Sequence, residues 1–81
     1  MTMTVMTADE IARRIEAALP GARAEVSGED AHFSAVVSAP AFQGRTRIEQ
    51  HKMIYDLFRD EMASEAIHAL ALRTTPTEKR P

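Results

Sequence analysis

The chain has no cysteine and no tryptophan, and only one tyrosine, three phenylalanines and three glycines in 81 residues. Without cysteine no disulfide can staple the fold and no thiolate can hold a metal. There is no Gly-rich phosphate loop, no serine or cysteine nucleophile motif, and no metal-binding histidine pair at helical spacing, so the usual enzyme signatures are missing. No charge sign dominates either. Ten Lys and Arg face twelve Asp and Glu, for a net charge of −2. Residues 1–40 carry six acids and three bases, and residues 41–81 carry six acids and seven bases. Neither half is a basic arm, which argues against a dominant phosphate-binding surface. No apolar run approaches the roughly 20 residues that span a bilayer. The opening Met1–Met6 lacks the positive region and apolar stretch of a secretory signal. The expectation is a cytoplasmic protein that is not an enzyme and engages no membrane, with residues 1–6 as a flexible tail.

What remains is a small apolar inventory of Ile, Leu, Val, Phe and Met, enough for one domain. A domain of this size buries only about 60% of its unfolded surface, so its stability margin is thin. Thr7-Ala8-Asp9-Glu10 has the form of a capping box, and Ile11, Ile15, Ala18 and Leu19 follow at helical spacing until Pro20-Gly21. This predicts a helix over 8–19. Ala22–Val26 is a short strand candidate, Ser27-Gly28-Glu29-Asp30 a turn, and Ala31–Ser38 a second strand. In that strand Phe33, Ala35 and Val37 fall on one face, and His32, Ser34, Val36 and Ser38 on the other. Ala39–Gly44 interrupts regular structure.

Thr46-Arg47-Ile48-Glu49 is a second capping box. The helix it opens carries an apolar stripe of Ile48, His51, Tyr55, Phe58 and Met62, widened by Ile54 and Leu57, and reaches about Ala63 with room for a break. Ile67–Thr74 reads as the last strand, followed by Thr75-Pro76 and a polar end that is taken as a flexible tail over 76–81. The order is α-β-β-α-β over 7–75, an α+β domain with a three-stranded sheet and its helices on one face.

Several segments, in order, resemble one family. They are Ala31-His32-Phe33, Val37-Ser38 leading to Phe42-Gln43-Gly44, Gln50-His51-Lys52-Met53-Ile54-Tyr55, Ile67-His68-Ala69-Leu70, and Thr75-Pro76-Thr77-Glu78. Across roughly residues 8–78 the chain resembles the BolA-like proteins, in their short-loop bacterial and mitochondrial form. The resemblance implies a KH-like fold with an extra short helix beside the long one. It implies a partner, a monothiol glutaredoxin of the Cys-Gly-Phe-Ser type with glutathione, and a shared 2Fe–2S cluster serving maturation, transfer or iron sensing. Some bacterial relatives are described as DNA-binding regulators of cell shape and stress response. The chain departs from the pattern at Gln50, where many members have Arg, and lacks the Trp that often follows the Thr-Pro step.

The resemblance makes His68 a cluster ligand, although its shared face with Leu70 and Leu72 is also the pattern of a packed histidine. Imidazole can replace thiolate on one iron of a 2Fe–2S centre. The second ligand lies among Glu29, Asp30 and His32, with His32 the nitrogen donor and Asp30 a harder, poorer match. His51 and Tyr55 belong to the helical signature, and His51 is expected to be buried and hydrogen-bonded to backbone. Because a 2Fe–2S centre needs four ligands and this chain offers at most two imidazoles, the cluster is expected to be held only together with a partner. The free protein is expected to be a monomer or weak homodimer.

The alternative is nucleic-acid binding at the start of the second helix, through Gly44, Arg45, Arg47 and Lys52. Over residues 44–62 the bases Arg45, Arg47, Lys52 and Arg59 are offset by Glu49, Asp56, Asp60 and Glu61. Such a surface suits only weak contact with a polyanion. A third reading is a cluster-free interaction module in which the last strand and long helix dock a partner and His68 only packs.

Overall fold

The structure is a computed structural model that describes residues 6–77. Helix α1 spans Ala8–Ala18, followed by strands β1 (Arg23–Glu29) and β2 (His32–Ala39), a 3-10 turn (Pro40–Phe42), helices α2 (Arg47–Leu57) and α3 (Arg59–Ala63), and strand β3 (Ala69–Pro76). The sheet order is β1-β2-β3, with β2 antiparallel to β1 and parallel to β3. The two-layer α+β architecture predicted from the sequence is the one observed, including the short helix after the break at Phe58.

Both capping boxes form. The Thr7 and Thr46 hydroxyls accept from the amides of Glu10 and Glu49, whose carboxylates accept from the threonine amides in return. Each satisfies backbone donors that a helix start otherwise leaves open. Met6, one residue before the first cap, is buried with Ile11 in the core, the placement of a hydrophobic staple. Met6 therefore does not belong to a flexible tail. The expectation for residues 1–5 and 78–81 lies outside the described residues. At the other end β3 continues through Pro76, and Thr77 donates its amide to the Ala39 carbonyl and accepts from the Gln43 amide nitrogen. The segment 76–77 is thus tied to the sheet.

Alternation on β2 is as predicted: Phe33, Ala35, Val37 and Ala39 are buried while His32, Ser34 and Val36 are exposed. The hairpin is longer than predicted. Residues 27–29 pair as strand, and the turn is the two-residue Asp30-Ala31, with φ of 56° and 67°. Two successive left-handed residues are what a tight hairpin matching the twist of its strands requires. Gly28 also has positive φ (125°), and a Cβ there would strike the His32 carbonyl oxygen, so only glycine fits.

The stripe predicted for α2 is rotated. Gln50, Ile54 and Phe58 face the core, whereas Ile48 is 80% exposed. Two residues turn a helix by about 200°, so seating Gln50 inward sends Ile48 outward. Gln50 buries because all its groups are satisfied. Its amide nitrogen donates to the carbonyls of Phe42 (3.2 Å) and Arg45 (3.0 Å), and its oxygen accepts from the Thr74 hydroxyl (2.6 Å). This one side chain joins the turn before α2, α2 itself and β3. Phe58 closes the core at the break and lies under the Arg14 guanidinium, 5.0 Å from its ring centroid.

Candidate functional site

The site of interest lies at the rim where β2 and β3 begin. His32 is the first residue of β2, and its register partner is Ala69, the first residue of β3. His68 immediately precedes that strand. A bifurcated contact brings the two histidines together: the Ala31 carbonyl accepts from the amides of both His68 (2.7 Å) and Ala69 (3.0 Å). The left-handed Ala31 is costly for a residue with a Cβ, about 1–2 kcal/mol, and its carbonyl is the one that fixes the His68 backbone. Ile67, 1% exposed, anchors the preceding position in the core, with its amide donating to the Glu61 carbonyl. Held on both sides, His68 turns out to solvent beside His32. The two rings stack with centroids 5.6 Å apart and planes 27° from parallel.

The hydrogen bonds define which nitrogens are available. His32 Nδ1 lies 2.9 Å from the Asp30 carbonyl oxygen, and a carbonyl only accepts, so Nδ1 carries the proton. In the neutral ring Nε2 then presents a free lone pair. A backbone carbonyl orienting the far ring nitrogen is the usual support of a metal-ligating histidine. His68 Nε2 lies 3.3 Å from a Glu65 carboxylate oxygen, with both side chains more than half exposed. This contact leaves Nδ1 of His68 open when the ring is neutral. Among the described residues no cluster of three or more His, Cys, Asp or Glu side chains is placed to hold a metal ion. What the rim brings together is two exposed imidazoles, each with one ring nitrogen uncommitted when neutral.

The other predicted residues separate. Asp30 contributes its carbonyl to His32. Its side chain and that of Glu29 are exposed. His51 is half-buried, and among the described residues its side chain makes no hydrogen bond. The buried, backbone-bonded role expected for it belongs to its neighbour Gln50. Tyr55 donates its hydroxyl to the Leu70 carbonyl (2.8 Å) and so covers the outer edge of β3. Of the residues considered for nucleic acid, Gly44, Arg45, Arg47 and Lys52 are all exposed, but Lys52 pairs with Asp56 at 3.3 Å. The reading from sequence missed Ala31 and Gln50. The signal for Gln50 was present as the i, i+4, i+8 series Gln50, Ile54, Phe58, masked by a polar member.

Comparison with known proteins gives the family and the fold. A sequence profile described as BolA-like protein matches residues 8–79. The chain is 38% identical over 48 residues to the DNA-binding transcriptional regulator BolA of Escherichia coli strain K12, covering 59% of this chain and 45% of that protein. It is 40% identical over 55 residues to SufE-like protein 1, chloroplastic/mitochondrial, of Arabidopsis thaliana, covering 64% of this chain and 15% of that protein. The chain thus spans less than half the length of these two relatives. Among solved structures, a bolA protein homologue from Coxiella burnetii superposes with a TM-score of 0.75 at 36% identity, over 90% of this chain and 92% of that one.

Proposed function

The chain belongs to the BolA-like protein family, and from that premise we propose that it is an accessory protein that joins a monothiol glutaredoxin and glutathione in sharing a 2Fe–2S cluster. The role is cluster maturation or transfer, or the signalling of iron status. The observation that carries this reading is the solvent-facing stack of His32 and His68, 5.6 Å apart. Neither imidazole is consumed by the core, and His32 is already oriented by a backbone carbonyl with Nε2 left open. These two residues are the ones that would hold iron. Such a cluster carries one electron at a potential that imidazole ligation raises relative to all-thiolate ligation. The chain's own part is to present two neutral nitrogens on a rigid rim and to leave the thiolates to the partner. Because binding needs the deprotonated rings, it weakens in acid.

The test is a titration of this protein into a glutathione-bound 2Fe–2S monothiol glutaredoxin, followed by visible circular dichroism. The spectrum changes up to one equivalent, and His68→Ala abolishes or alters that change. An unchanged spectrum with the unmodified protein removes this reading for that partner. The isolated chain is colourless after purification, whereas a stable brown monomer free of added thiols contradicts a half ligand set.

A second reading, DNA binding, is favoured by the name of the E. coli relative and by the exposed Arg45 and Arg47. The balanced charge of residues 44–62 and the pairing of Lys52 with Asp56 count against a strong polyanion surface. Tight duplex affinity falling steeply with salt would put this reading first.

A further inference from the structure

A second feature lies along the far part of β3. An open cavity of about 450 Å³ is lined by Arg47 and His51 of α2 and by Leu72, Arg73 and Thr74 of β3. Arg47 and His51 are four residues apart and so share one side of the helix. Among the described residues neither Arg47 nor Arg73 pairs with a carboxylate, and no acidic side chain lines the cavity. Two guanidinium groups, which never lose their charge, thus border one concavity without a counter-ion from the described residues.

The strand edge adds donors. The Ala69 amide faces β2, where it donates to Ala31, while the Leu70 carbonyl faces the opposite way, towards Tyr55. Backbone direction alternates along a strand, so the amides of Leu72 and Thr74 also point to the outer edge, where the cavity lies. The Thr74 hydroxyl is committed to Gln50, which holds that edge against α2.

We propose that this cavity binds a compact phosphate group, either inorganic phosphate or a small phosphate monoester. Guanidinium forks match phosphate oxygens in bidentate fashion. A phosphate monoester near neutral pH carries a charge close to −2, which balances two arginines, whereas a carboxylate balances one. The volume falls within the range for a small-molecule pocket. The zero charge sum over residues 44–62 disfavours an extended polyanion at the same place. The site is independent of the histidine rim: Arg73 lies five residue steps beyond His68 along extended chain, roughly 16 Å.

The experiment is a titration of sodium phosphate into the ¹⁵N-labelled full chain at constant ionic strength. Backbone amide shifts are recorded, with sodium chloride and acetate as controls and glycerol phosphate as the ester arm. Saturable shifts are expected at residues 47, 51 and 72–74, absent with chloride and weaker with acetate. Arg47→Ala and Arg73→Gln should each weaken binding about tenfold or more while core resonances stay in place, since both side chains are exposed. Glycerol phosphate binding at least as tightly as inorganic phosphate assigns the site to esters, and the reverse order assigns it to the free ion. Non-saturating shifts spread over the surface, or affinity unchanged in both variants, overturn the proposal. So does a short DNA duplex that binds there more tightly than either phosphate.

Discussion

Phe33 follows His32 on β2, and His68 follows Ile67 just before β3. Phe33 and Ile67 are 4% and 1% exposed, while both histidines stand in solvent on the rim. The covered face and the rim are built from residues adjacent in the chain, yet they hold their side chains by different means. On the covered face, apolar side chains interlock with α1 and α2, and loss of any large one leaves a void. On the rim, the backbone does most of the holding, through the Ala31 carbonyl and the bond from the His32 ring to the Asp30 carbonyl, and one nitrogen of each neutral ring stays uncommitted. Stability is thus concentrated in one layer, and the rim can offer ligands without weakening it.

The sharpest way to break this contrast is to truncate one residue of each kind. Phe58→Ala should lose about 3–5 kcal/mol of unfolding free energy, a large share of the roughly 5–15 kcal/mol that holds a domain. The double variant His32→Ala, His68→Ala should stay within about 0.5 kcal/mol of the parent, as surface substitutions do. Urea unfolding of both reads the difference. A rim variant as destabilised as the core variant would show that the histidines support the fold.

Gln50 tests whether polar packing can match apolar packing on the covered face. Gln50→Ala strands the Phe42 and Arg45 carbonyls and the Thr74 hydroxyl. The expected cost is about 1–3 kcal/mol, the penalty for unsatisfied buried groups, measured by the same unfolding curves. Amide exchange should rise most in β3 and at the start of α2. A neutral substitution would mean that water replaces the amide without loss.

The smallest effect is expected on the outer surface of α2. Asp56 accepts from Arg59 at 2.9 Å and from Lys52 at 3.3 Å. The Arg59 hydrogen bond, and then that of Lys52, hold its carboxyl below the usual range. A depressed carboxyl contributes stability that is present above its unfolded pKa and lost as pH falls through the folded one. Asp56→Asn should therefore flatten stability against pH on the acid side and leave the neutral-to-alkaline slope unchanged. The ion pairs lie on the exposed surface, so added salt should erase the difference.

Local physics accounts for most of the legible fold. Both capping boxes, the alternation of β2, the break after α2 and the α+β order follow from hydrogen-bonding chemistry and side-chain periodicity within a few residues, and all were readable in the chain. His32 and His68 were also readable as candidates through the family pattern. Their adjacency was not, because it depends on a parallel pairing between strands separated by two helices, and on the carbonyl of one left-handed alanine that has no sequence signature. The orientation of α2 was likewise decided in three dimensions. A periodicity argument ranks glutamine as polar and isoleucine as apolar. Only the positions of the Phe42 and Arg45 carbonyls and the Thr74 hydroxyl make burying Gln50 favourable and turn Ile48 outward.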